Sequence, residues 1–247
     1  MVDASASPPM RQRWSKPLRM HLSFIIVALL VAISAALLAL AYRQGTRAAL
    51  SAAKEQMDLL SDQTLDLYES IFRDGKAVVT IASVLPSFRT NQPADLNSKH
   101  QILLKALQSS PHLDGVYVAY PDGSFVQVIH VAENARWRHA MAAPSATAYA
   151  MRTVTPAANG QPMSAWSFFD TSDNLLEARQ PQATAYDPRK RLWYQVGAAK
   201  PEPQSVGPYV AASTNTLTFS LVARLEADPT VVFGADVLID NISAMLA

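Results

Sequence analysis

Gly115-Val116-Tyr117-Val118-Ala119-Tyr120-Pro121-Asp122-Gly123-Ser124-Phe125-Val126-Gln127-Val128-Ile129 is the stretch on which the fold turns. Two runs rich in Val, Tyr, Phe and Ile flank Pro121-Asp122-Gly123, which supplies turn chemistry between them. This is strand, turn, strand: an antiparallel hairpin. On its N-terminal side the apolar period is helical, and on its C-terminal side further strands follow. Helices segregated from an antiparallel sheet make an α+β domain, without the strand–helix alternation of a parallel sheet.

Upstream, Leu96 to Leu107 fits a helix ended by Ser109-Ser110-Pro111. A break at Asn91-Gln92-Pro93 separates it from a much longer helical pattern that runs from Arg43 to about Arg89. There Leu50, Met57, Leu60, Leu67, Ile71, Val78, Ile81 and Leu85 recur in steps of three and four, with Ala53, Thr64 and Asp74 at the remaining positions. A seam of period 3.5 predicts packing against another helix. The alternative is a helix lying on its own domain, and both readings can hold along different parts of its length.

This long helix continues an apolar segment. Residues 20–42 contain no Asp, Glu, Lys or Arg. A helix needs about 20 apolar residues to cross the ~30 Å hydrocarbon core of a bilayer, and this run is long enough. Its length favours an uncleaved anchor over a signal peptide. Arg11, Arg13, Lys16 and Arg19 precede it, and Arg43 and Arg47 follow it. The positive-inside rule puts the N-terminus in the cytoplasm and everything after Arg43 outside it. Residues 1–19, rich in Ser and Pro, read as a disordered cytoplasmic tail.

Downstream of the hairpin, residues 132–160 carry no clear period. Ala165 to Phe169 reads as a strand and Arg191 to Ala199 as a short helix. Thr216 to Leu225 alternates Leu217, Phe219, Leu221, Ala223 and Leu225 against Thr216, Thr218, Ser220, Val222 and Arg224, which predicts a half-buried strand. Asp228-Pro229 makes a turn, Val231 to Ile239 the next strand, and a helix starts near Asp240.

The totals exclude several functions. The 247 residues carry a net charge of +1 and no Lys/Arg stripe with interleaved aromatics, so no nucleic-acid partner is expected. The absence of cysteine excludes a disulfide framework, thiolate zinc sites and a cysteine nucleophile. No H-E-x-x-H, G-x-G-x-x-G or Walker loop occurs, and the histidines are scattered. An enzymatic alternative rests on Ser51-x-x-Lys54 and Ser213-x-Asn215, which match fragments of the penicillin-binding-protein pattern, with no K-T-G after them.

Tyr186-Asp187-Pro188-Arg189-Lys190-Arg191-Leu192-Trp193-Tyr194 is the most informative run for function. Arg offers a planar fork of donors that matches a carboxylate, and Trp and Tyr supply apolar walls with polar tips. The competing reading is a surface turn with Trp193 as a core anchor. The run is similar to a signature of the double Cache (dCache) sensor domains of bacterial transmembrane receptors, which commonly have Pro where this chain has Leu192. Gly207-Pro208-Tyr209-Val210 and Val231-Val232-Phe233-Gly234-Ala235-Asp236-Val237 also resemble that family and fall in the right order. The resemblance covers about residues 43–247.

It implies a long helix rising from the membrane (43–90) and packed on a PAS-like antiparallel sheet, the distal ligand-binding module (91–247). In the subgroup that binds amino acids, residues matching Arg191 and Trp193 hold the carboxylate. Those matching Tyr186, Tyr194 and Tyr209 line the pocket, and the one matching Asp236 takes the ammonium. A second Asp common in that subgroup is replaced here by Ala211. The expected ligand is thus an amino acid, an organic acid or an amine, with no catalytic residue, metal or cofactor. The resemblance further implies a proximal module, a second span and an output domain that this sequence does not contain. It is therefore expected to be a truncated or fragmentary inner-membrane receptor with a periplasmic sensor, dimerising through the long helix. Outputs in the family include nucleotide cyclases, kinases and chemotaxis receptors, and overall similarity leans toward an adenylate or guanylate cyclase. A membrane-tethered interaction domain with a filled pocket is the remaining alternative.

Overall fold

In the computed structural model, residues 18–132, 135–156, 161–212 and 215–238 are described. Residues 1–17 of the expected N-terminal tail, the helix after Asp240, and Ser213 lie outside them, while Leu18 and Arg19, placed in that tail, are helical. The chain divides into two compact units, the second beginning at Gln63. Helix α1, Leu18–Val84, supplies the described part of the first unit. Its apolar stretch has a mean hydropathy of 3.0 with no part of it buried. Among the described residues it is the one helix long and apolar enough to cross a membrane.

The second unit is α+β, as the hairpin predicts. After α1 come α2 (Leu96–Gln108), β1 (Gly115–Ala119), β2 (Phe125–His130), α3 (Ala135–Ala140), β3 (Tyr149–Thr155), β4 (Met163–Phe169), β5 (Leu175–Ala178) and β6 (Gln182–Ala183). Then follow α4 (Leu192–Ala199), β7 (Gln204–Val210), β8 (Leu217–Arg224) and β9 (Val232–Leu238). All ladders are antiparallel, in the order β5-β4-β3-β2-β1-β9-β8-β7, with β6 also on β4.

Both faces of the central strands are covered. Val116, Val118, Val126 and Val128 point to a core shared with Ile71, Val79 and Ala82 of α1 and Leu103, Leu104 and Leu107 of α2. Tyr117, Ala119 and Phe125 point the other way, to Trp193 and Tyr194 of α4. Gly75 lets α1 approach the sheet: a Cβ there would lie 2.2 Å from Leu221 Cδ1.

Two patterns depart from the sequence reading. Ile81, placed on the α1 seam, is 62% exposed, whereas Val79 and Ala82 are buried. A helix of 3.6 residues per turn drifts off a 3.5 repeat by about 20° per heptad, so the sheet-facing positions become 71, 75, 79 and 82. In β8, Leu217 is 49% exposed, and Thr218 and Ser220 are fully buried beside Leu221, Val222 and Ala223. A strand between β7 and β9, with both faces covered over much of its length, has no single polar face.

Candidate functional site

The floor of the site is one row of side chains across the sheet. Cα pairing aligns Tyr117 of β1 with Gln127 of β2, Gln127 with Arg152 of β3, and Arg152 with Trp166 of β4. Residues so paired share a face. At the β9 end of the row stands Gly234, opposite Tyr117. A Cβ on Gly234 would lie 2.2 Å from the Tyr117 ring, so the missing side chain is what lets this tyrosine lie over β9.

Tyr117 reaches Asp236, two residues further along β9. Its hydroxyl donates to Asp236 Oδ1 at 2.7 Å, and Ser220 of β8 donates to the same oxygen. Because the Ser220 proton is committed there, Tyr209 is the donor in its 2.5 Å contact with Ser220 Oγ. Asp236 is 9% exposed, and burial raises its carboxyl pKa to about 6, against the downward pull of Ser220, Tyr117 and Arg191. Burial first, and the Asp236 charge second, push the hydroxyls of Tyr117 and Tyr209 well above their ordinary value, so both stay protonated donors. No described residue bonds Oδ2 of Asp236.

Arg191 precedes α4 with an extended backbone. Its Nη2 donates to the Val210 carbonyl at 2.8 Å, and its guanidinium lies 5.8 Å from the centre of the Tyr209 ring. The neighbouring Arg189 has a different task. It pairs with Asp187 at 2.9 Å and donates to Pro121 O at 3.1 Å, fastening the segment to the β1–β2 turn.

Tyr186, Arg191, Trp193, Tyr209 and Asp236 thus line one hollow with Tyr117, Phe125, Gln127, Ala211 and Ala212. Five of the six residues singled out in the sequence converge. Tyr194 does not line it: its hydroxyl donates to the Thr230 carbonyl at 2.6 Å and its ring meets Trp193 edge-on. Trp193 is both wall and core anchor, 3% exposed and tilted against Tyr117 with ring centres 4.7 Å apart. The cavity volume is about 20 Å³. That admits about one water molecule, so a larger guest requires the walls to part.

Two lining residues are not evident from the sequence. Tyr117 lies in a hydrophobic hairpin and reads as core. Gln127 is 3% exposed, and its Oε1 has no hydrogen-bond partner among the described residues. A buried unpaired acceptor costs about 1–3 kcal/mol, so this oxygen favours an incoming donor. The only sequence signal was a polar residue in the middle of a strand that is otherwise almost entirely apolar.

A larger cavity of about 430 Å³ shares the lining residue Ala212 with the first. Arg152, Ser164, Trp166, Arg179 and Thr184 are among its walls. Ser51 and Lys54 of the enzymatic alternative are exposed on α1, and no group of metal-binding side chains forms among the described residues.

The first hollow therefore offers donors from Arg191 on one hand and acceptors from Asp236 and Gln127 on the other, between aromatic walls. No model of a known protein family matches the chain. Over its whole length it is 35% identical to adenylate cyclase 1 of Rhizobium meliloti (strain 1021), of which it spans 37%. The ligand-binding domain of the Campylobacter jejuni chemoreceptor Tlp3, solved with 4-methylisoleucine, is similar at a TM-score of 0.46 and 15% identity. That match covers 78% of this chain and 60% of the other. The ligand-binding domain of the Pseudomonas aeruginosa PAO1 amino acid chemoreceptor PctC, solved with GABA, has a TM-score of 0.41 and 14% identity. It covers 76% of this chain and 60% of that one.

Proposed function

We propose that this chain senses a small organic ion outside the cytoplasm for a membrane receptor, through a Cache module spanning residues 91–247. The observation that carries this reading is the convergence of Arg191, Asp236 and the Gln127 oxygen, unpartnered among the described residues, on one aromatic-walled hollow. Arg191 takes the carboxylate of the ligand through charge-assisted hydrogen bonds. Asp236 and Gln127 take its ammonium, so Gln127 stands in for the second Asp that Ala211 replaces. The ligand class is an amino acid or a close analogue.

Residues 20–42 anchor the chain in the inner membrane, with residues 1–19 in the cytoplasm, and residues 43–90 form the stalk helix. Leu50, Met57 and Leu60 are exposed on it and offer a seam to a second copy. The output is a nucleotide cyclase, supported by identity along the whole chain to a relative of that name. Ligand favours a conformation in which the small cavity is wider, and the differential affinity sets how far the equilibrium moves.

The test is a thermal-shift screen of the full chain in detergent against amino acids, organic acids and amines. At least one compound raises the melting temperature of the natural sequence, and Arg191→Ala abolishes that rise. The free variant loses the Val210 bond, about 1 kcal/mol, together with the contact over the Tyr209 ring. A screen with no hit favours the second reading, a tethered interaction domain whose pocket is filled by its own side chains, to which the 20 Å³ volume gives some weight.

A further inference from the structure

Arg152 is a buried cation on the face of the sheet that carries the site. It is 8% exposed, yet no carboxylate pairs with it among the described residues. Its Nε donates to Ser164 Oγ at 3.1 Å, and no described residue accepts from its Nη atoms. The guanidinium stacks over Tyr186, 4.5 Å from the ring centre, and sits 5.5 Å from the ring centre of Trp166. Burial without a counter-charge lowers its pKa, so the site disfavours the cation it holds. A buried charge left in this state favours an anion that can reach it.

The 430 Å³ cavity that Arg152 lines is of ligand size. Its other cation, Arg179, is already committed: to Glu177 at 2.6 Å, and to the Met141 and Ala142 carbonyls at 2.7 and 2.8 Å. Among the described residues no carboxylate lines this cavity, and its uncharged polar walls include Ser164, Thr184, Gln180 and Gln182. Ala212 lines both cavities, and Tyr186 is at once a wall of the hollow and the stacking partner of Arg152. Along the sheet the order of groups is Tyr117, which donates to Asp236, then Gln127, then Arg152: a carboxylate at one end, a cation at the other.

We propose that the two cavities form one elongated site, in which Arg152 binds a second carboxylate at the far end of the ligand. This rests on the ligand reading above and narrows it to amino acids with an acidic side chain. Arg191 holds the α-carboxylate, Asp236 and Gln127 the ammonium, and Arg152 the distal carboxylate. Ser164 holds the Arg152 guanidinium in place, and the Tyr186 and Trp166 rings flank it.

The experiment is calorimetry on the full chain in detergent micelles with two pairs of probes, glutamate against glutamine and aspartate against asparagine. Each pair differs only in whether the distal group carries charge. In the natural sequence the acid of at least one pair binds about tenfold or more tighter than its amide, as one charge-assisted hydrogen bond requires. In Arg152→Met that ratio falls to about one, with amide affinity retained. Ser164→Asp makes the same test without emptying the core, because it places an internal carboxylate beside the guanidinium; it decides the matter if Arg152→Met does not fold. Amides that bind as tightly as acids in the natural sequence overturn the inference alone, as does an acid preference that survives in the variants. Failure of all four probes to bind, together with a screen that yields no other ligand, overturns this inference and the sensing reading together.

Discussion

Asp236→Asn makes the protein more stable at neutral pH and leaves it unchanged in acid. In the fold the Asp236 carboxyl titrates near 6 rather than at its ordinary 3.8, because burial outweighs its bonds from Ser220 and Tyr117. A carboxyl whose folded pKa is raised binds its proton more tightly in the native state. The stability this confers is fully present below about pH 4 and is lost as pH rises through about 6. The rise corresponds to about 3 kcal/mol, an upper figure for a buried group. Asparagine keeps an oxygen for the Tyr117 hydroxyl and carries no charge. For a unit of this size each kcal/mol moves the melting temperature by about 2–4 °C. The variant is thus expected to melt up to about 6–12 °C above the natural protein at pH 8 and within a degree or two of its pH-independent offset at pH 4. Thermal denaturation of both proteins across that range is the assay. Melting curves that stay parallel from pH 4 to pH 8 would show that burial does not penalise this carboxylate.

Two further predictions share the same geometry. Gly234→Ala drives a methyl into the Tyr117 ring, costs about 1–3 kcal/mol and weakens ligand binding by displacing the Tyr117 hydroxyl that donates to Asp236; urea unfolding and calorimetry measure both effects. An ammonium-bearing ligand requires the ionised form of Asp236, so its affinity falls by up to about tenfold per pH unit below about 6, whereas a ligand bound through Arg191 alone shows no such slope; titrations at pH 5 and pH 7 separate the two.

The hairpin and the change of period carried the fold class, because Pro121-Asp122-Gly123 between β-branched runs has few alternatives. The motif around Arg191 supplied Tyr186, Arg191 and Trp193 of the candidate site, whereas Tyr209 and Asp236 were named through the family resemblance. What the sequence concealed is what long-range pairing creates. β3 and β5 to β7 lack clean alternation, and their register alone places Arg152 beside Gln127. Tyr194 appeared equivalent to Trp193 in the string. One step of a helix is a rotation of about 100°, so the two neighbours point to different places, and Tyr194 spends its hydroxyl on Thr230. Conversely Tyr117 reads as a strand residue until Gly234 opens the space its ring occupies.

The central matter is whether one ligand uses Arg191 and Asp236 at once. Calorimetry with glutamate, 4-aminobutyrate and glutarate measures this, because the second lacks the α-carboxylate and the third lacks the amine. Both truncated compounds are expected to bind about tenfold or more weaker than glutamate. Equal affinity for all three would mean that the guanidinium and the carboxylate do not share a guest.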